Sequence, residues 1–213
     1  MSGLSKKWEA STEPSTATKV KEAVRPPGPL KPRLDAATRG IDVQVQKLDQ
    51  TSNRFSERDK QLFSRLVDAY EKHDMTRAHI FANELAELRK MEKMTLQARM
   101  ALEQISLRMR TMTELGDIAV TLAPIIGVVQ NVKRAIASIS PAASRELGSI
   151  GDLLNGIALD AGVISGMSIS FDTVNEGSQK ILTEAATIAE QRMKTKFPDL
   201  PTIEEKVDEK LNP

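Results

Sequence analysis

The chain has no cysteine among its 213 residues, which excludes a disulfide framework and any thiolate metal site. Histidine is nearly missing as well. His73 and His79 lie six apart, not the four-residue spacing that brings two imidazoles to one helix face. Aromatic side chains are scarce: five phenylalanines, one tyrosine and one tryptophan. A compact globule of this length usually carries more large rings, so the composition favours long helices. No uncharged run approaches the roughly 20 apolar residues that cross a bilayer. The longest, Ile118 to Val132, contains Pro124, Gln130 and Asn131. Residues 1–14 lack the apolar core of a signal peptide. There is no Gly-rich phosphate loop with Lys-Ser/Thr, no Gly-x-Gly-x-x-Gly and no Gly-x-Ser-x-Gly elbow. Carboxylates are spread at helical spacing, as on solvated faces. Nothing converges on catalysis, so the chain reads as a non-enzyme with no cofactor and no metal. The basic residues form no dense stripe interleaved with aromatics, so nucleic acid is not an expected partner.

What the chain does have is heptad periodicity. Leu34, Ile41, Leu48, Phe55 and Leu62 recur every seven residues, and Val45, Leu66 and Tyr70 fall on the same stripe. After a break at His73-Asp74 a second stripe runs through Phe81, Leu88, Met91, Thr95, Ala98, Leu102, Ile105, Met109 and Met112. Such spacing keeps one helix face apolar and turned to a partner. The reading is two long helices, about 33–72 and about 74–114, joined by a short turn as an antiparallel hairpin. Asp74 and Thr76 are both suited to cap the second helix.

The second helix carries a further apolar set, Leu85, Leu96, Met100 and Leu107. A face this wide implies more than one partner, and these four are the expected self-assembly residues. Five methionines between Met91 and Met112 fit a surface that repacks, although core filling explains each singly.

Three shorter helices follow. Ile118 to Ile139 has apolar steps of three and four, with Pro124 expected to kink or end it. The next carries Leu147, Ile150, Leu154, Ile157 and Ala161 on one face. It also contains five glycines, each costing about 1 kcal/mol of helix stability, and should hold only when packed. The last is expected from Ser178 to Met193. The organisation expected is an arm over 1–32, a helical core over 33–161, a linker over 162–177 and a regulatory tail over 178–213.

Two terminal features suggest contacts. In the arm, Leu4 and Trp8 fall on one side of a helical turn beside Lys6 and Lys7, the residue types that sit at a bilayer interface. With Lys19, Lys21 and Arg25 they form the candidate membrane-binding set. Residues 1–113 hold 21 Lys/Arg against 15 Asp/Glu, and residues 114–213 hold 9 against 14. A front half of +6 and a back half of −5 attract each other, and the front attracts anionic surfaces.

Taken with the order of the helices, the Pro-ended arm, the turn at Tyr70-Glu71-Lys72-His73-Asp74, the run Ala82 to Lys90 and the small-residue stretch Leu147 to Leu154, the chain resembles the ESCRT-III family. It is most similar to the archaeal cell-division branch, the CdvB-type proteins. The resemblance spans about Arg33 to Ala161. It implies an all-α fold, a long antiparallel hairpin with shorter helices packed on or extending it. It also implies a filament-former that switches between a closed monomer and an open polymer with paralogous subunits on anionic membrane, peripheral at the inner face of the cell membrane and at the division site. A Vps4/CdvC-type AAA ATPase would then take the filaments apart. Phe197-Pro198-Asp199-Leu200-Pro201 resembles the Pro-rich MIT-interacting motif. Carried over, Phe197 and Leu200 are groove anchors, and Pro198 and Pro201 hold the segment extended. No alternating strand pattern follows Gly166, so the winged helix of some relatives is not expected. The other reading open at this point is a coiled-coil scaffold or a phage-shock-type membrane-stress protein.

Overall fold

Two polar residues make the hairpin turn. His73 takes a left-handed backbone, φ 56°. Its N–H reaches Tyr70 O at 3.0 Å while the Asp74 N–H reaches Ala69 O at 3.0 Å, the double closure that ends a helix. Asp74 then caps the next helix, its side chain accepting from the Arg77 N–H at 3.1 Å. Of the two candidate caps, Asp74 is the one used.

The computed structural model describes residues 30–112, 115–165 and 171–197. They form five helices: α1 (Leu30–Glu71), α2 (Met75–Arg110), α3 (Leu115–Ala135), α4 (Pro141–Ser165) and α5 (Phe171–Lys196). The all-α architecture expected from the sequence is the one observed. α1 and α2 form the long antiparallel hairpin, and the shorter helices pack on it.

Ion pairs and hydrogen bonds set the hairpin register. Arg89 Nε is 2.7 Å from Asp59 Oδ1, Arg99 pairs with Asp49, and Ser106 donates to Asp42. Each partner on α1 lies as many residues before Asp74 as its mate lies after it. The apolar stripe alone would tolerate a slip by one heptad. Charges at fixed positions do not.

α3 and α4 make a second antiparallel hairpin, tied where Ser144 Oγ donates to Lys133 O at 3.0 Å. α4 lies antiparallel on the basal half of α1: Arg33 pairs with Asp160 near one end, and Lys47 meets Glu146 at 2.8 Å near the other. Both pairs join a basic residue of the front half to an acid of the back half, the attraction read from the charge asymmetry. α5 starts beside α3, where Gly177 sits so close to Pro124 that a Cβ there would lie 3.0 Å from the proline Cβ. It then runs antiparallel to α2 and ends at Glu92. The main core lies among all five helices. A separate cluster of Leu62, Leu66, Ala69, Ala78, Leu85 and Leu88 near the turn is built from α1 and α2 alone.

Three element bounds differ from the sequence reading. α1 begins at Leu30, because Pro32 falls in the first turn, where its missing N–H has no helical partner to lose. α3 continues through Pro124, so of the kink or end expected there the end is not made, and Gly177 of α5 lies close to the ring. α5 starts at Phe171 rather than Ser178, so part of the expected linker is helix.

Candidate assembly interface

The wide apolar face of α2 is sealed within the chain. Leu96 and Met100 are each 3% exposed and belong to the same core cluster as Ile181, Ala185 and Ala189 of α5. Leu85 is fully buried in the cluster near the turn. Only Leu107, at 65%, remains open. An uncovered set was expected. The difference has a physical cause: α5 packs along α2, with Ala185 and Ala189 buried in the shared core, so the second partner of α2 is the chain's own last helix.

The far end of α5 adds a charged contact to its apolar packing, in which Met193 lies against the main core. Glu92 is completely buried. Its Oε1 accepts from Ser52 Oγ at 2.6 Å and from Lys196 Nζ at 2.9 Å, and Lys196 also reaches Ser52 Oγ at 3.2 Å. The other oxygen, Oε2, has no protein partner. Next to this group, Arg89 holds Asp59, which is 4% exposed. The Phe197 ring meets two cations, 5.3 Å from Arg89 Cζ and 5.5 Å from Lys196 Nζ. A buried carboxylate is costly without a paired cation. Here the cation arrives from 104 residues away in sequence.

Sequence reasoning missed this network. Ser52 and Asp59 occupy the heptad track of Val45 and Leu66, where apolar residues were sought. Polar residues on a core track are the signal that was available. Lys196 was read only as a complement to the helix dipole. A second feature also escaped notice. Arg54, Arg58 and Arg65 line an exposed groove of about 580 Å³, together with Asn53, Gln61, Leu62 and two carboxylates, Glu57 and Glu84. At helical spacing they continue the row begun by Lys47, beyond the point where Glu146 of α4 covers it.

Of the remaining predicted residues, Leu4, Lys6, Lys7, Trp8, Lys19, Lys21 and Arg25 lie outside the described residues. So do Pro198, Leu200 and Pro201, whereas Phe197 is seen, half-buried on the hairpin. Among the described residues no helix is long and apolar enough to cross a membrane. Among them, too, no group of three or more His, Asp or Glu side chains is placed to hold a metal ion.

The chain is 42% identical over 198 residues to cell division protein B1 of Sulfolobus acidocaldarius, covering 93% of this chain and 91% of that protein. The chain belongs to the CdvB-type, archaeal cell-division branch of the ESCRT-III family. Cell division protein B of the same organism is 31% identical over 161 residues, 76% of this chain. The match takes in 62% of that protein, less than two thirds of its length. No protein-family model matches the chain, and no solved structure does. The matched span of cell division protein B1 is longer than α1 to α4, the stretch over which the resemblance was read from sequence.

Proposed function

We propose that this chain is a filament-forming, membrane-remodelling subunit of archaeal cell division, and that the five-helix bundle is its closed form. The observation that carries this reading is the sealed face of α2. Leu96 and Met100 are apolar and lie at the spacing of a helix-packing seam, and they are covered by a helix whose end is held by a polar contact. Burying each such side chain stabilises the covered state by about 1.5–3 kcal/mol. The same energy is available to a second copy once α5 leaves. α4, with glycines at 148, 151, 156 and 162, is the helix least able to hold its conformation alone.

Opening exposes the seam for self-assembly and for assembly with paralogous subunits. The basic arm, with Trp8 and Leu4, and the row of Arg54, Arg58 and Arg65 then face anionic lipid at the inner surface of the cell membrane, at the division site. Residues Phe197 to Pro201 offer an extended Pro-rich peptide to the MIT domain of a Vps4/CdvC-type ATPase, which takes the filament apart.

The test is co-sedimentation of the full chain with anionic and with neutral liposomes, with electron microscopy of the pellet. Filaments or tubes on anionic liposomes are expected, and Leu96→Asp with Leu107→Asp should abolish them while the chain stays helical by circular dichroism. A chain that neither pellets nor polymerises under any condition is an inert coiled-coil bundle, and the proposal is wrong.

A further inference from the structure

Next to the arginine-lined groove the hairpin carries a second, more apolar one of about 530 Å³. Phe55 and Leu62 of α1 and Leu88 and Met91 of α2 make its floor. Leu62 and Leu88 are buried, whereas Phe55 and Met91 are only half-buried. Arg58 stands on the α1 wall, and Glu84 and Glu87 stand on the α2 wall. Opposite charges face each other across the groove, yet among the described residues neither Arg58 nor Glu84 has an ion-pair partner. α4 covers this side of α1 at Lys47, below the groove, and α5 lies on the other side, where Lys196 meets Ser52 and Glu92. An apolar floor between unpaired charges of both signs suits an amphipathic occupant.

We infer that the occupant is this chain's own N-terminal segment, with Leu4 and Trp8 on the floor. Length selects it. The floor begins about 38 Å along α1 from Leu30, at 1.5 Å per residue. Before Leu30, two pairs of apolar side chains larger than alanine lie four apart, Leu4 with Trp8 and Val20 with Val24. Extended backbone carries Val20 no farther than about 33 Å from Leu30, and Val24 less, but it carries Trp8 as far as about 73 Å. Only the Leu4–Trp8 pair reaches, with chain to spare for the return to Leu30. Size agrees. Phe55 to Leu62 is about 10 Å of helix and Leu4 to Trp8 about 6 Å, so one or two turns fill the groove. Charge sets the direction. Laid parallel to α1 with Leu4 and Trp8 down, a right-handed turn over residues 4–9 puts Lys7 on the α2 side and Glu9 on the α1 side. Lys7 then faces Glu84 and Glu87, Glu9 faces Arg58, and the indole lies beside that guanidinium. The reverse direction sets like charges together. The C-terminal residues leave Phe197 on the other side of the hairpin, over Arg89. Docked in the groove, Trp8 is hidden in the closed chain. That this withholds a membrane anchor rests on the proposed function; the docking itself does not.

Trp8 is the only tryptophan and the chain has no cysteine, so two unique probes can be placed. The full chain carries a nitroxide on one introduced cysteine, Asn83→Cys on the groove wall or Lys180→Cys on α5. Trp8 fluorescence is read without lipid, at concentrations where sedimentation shows a monomer. The label at 83 should quench most of the emission, and the label at 180 should leave it unchanged. Glu84→Lys with Glu87→Lys, both at exposed positions, should remove the quenching, and adding Lys7→Glu should restore it. Equal quenching by the two labels overturns the inference, as does a Trp8 no less accessible to acrylamide than it is in urea. So does quenching in trans, between a labelled Trp8→Phe chain and an unlabelled one, because the groove then holds a second copy's segment. Liposome pelleting is read separately, so failure of the proposed function shows on its own.

Discussion

Lys196 and Glu92 meet at 2.9 Å across the groove between α5 and α2, and the glutamate is buried on every side. The contact makes closure specific. A register slip of α5 leaves the Glu92 charge without its cation, and an uncompensated buried charge costs far more than a lost surface pair. The proposed switch between closed and open forms needs two discrete states, and a buried charge with a detachable counterion fits that requirement.

Breaking that contact should favour the open form. Lys196→Met leaves a buried carboxylate with Ser52 alone and should destabilise closure by about 1–3 kcal/mol. Polymerisation on anionic liposomes should then begin at a concentration roughly ten-fold lower, since about 1.4 kcal/mol is one factor of ten. Glu92→Gln with Lys196→Met should restore much of the wild-type threshold, because no charge remains buried. A threshold unmoved by Lys196→Met removes this contact from the switch.

The hairpin depends on its own charged pair. Asp59 is 4% exposed and its partner Arg89 is mostly buried. Asp59→Ala should cost about 3 kcal/mol or more of unfolding free energy, in the range seen when one partner of a buried pair is removed. Urea denaturation followed by circular dichroism measures it. A loss below about 1 kcal/mol, the range of surface pairs, would mean that solvent reaches the site.

The turn holds a non-glycine residue in a left-handed conformation. His73→Gly removes that strain, about 1–2 kcal/mol, and returns part of it through the greater freedom of glycine in the unfolded chain. A net gain of roughly 0.5–1 kcal/mol is expected in the same denaturation experiment. Destabilisation would instead show that the imidazole makes a contact that matters.

Glu146 gives the α1–α4 contact a pH dependence. Hydrogen bonds from Lys47 and then Gln44 hold its carboxyl below the ordinary value of 4.5. A folded-state value lower than the unfolded one contributes stability that is complete above the unfolded value. That contribution disappears as pH falls through the folded value. Hydrogen exchange in α4 should therefore rise as pH drops below about 4.5, once corrected for intrinsic rates. Glu146→Gln should flatten that rise. Identical acid profiles for the two proteins would assign the effect to other carboxylates.

The proposed membrane attachment has two candidate sources, and salt separates them from apolar insertion. Arg54, Arg58 and Arg65 changed together to Glu should weaken pelleting with anionic liposomes, at about 1 kcal/mol per basic residue near the surface. Deleting residues 2–25 should do the same and also remove any salt-resistant fraction due to Trp8 and Leu4. Equal binding to neutral liposomes would rule out the charge mechanism.

The hairpin and its turn were legible in the sequence, because heptad spacing and a helix cap are local properties of the chain. Leu34, Ile41, Leu48 and Leu62 are buried where the stripe put them, and the break at His73-Asp74 is the turn. The all-α class followed from the same local signals. What covers Leu96 and Met100 was not legible. Periodicity reports that a face is apolar, but not whether a neighbouring molecule or a later helix of the same chain covers it. That depended on α5 packing along α2, with Ala185 and Ala189 in the shared core. The roles of Ser52, Asp59, Glu92 and Lys196 were hidden for a related reason. Glu92 and Lys196 look like ordinary surface residues on their own helices, Ser52 and Asp59 break a core track without naming a partner, and only the folded register, in which partners come from up to 144 residues away, turns them into a buried polar network.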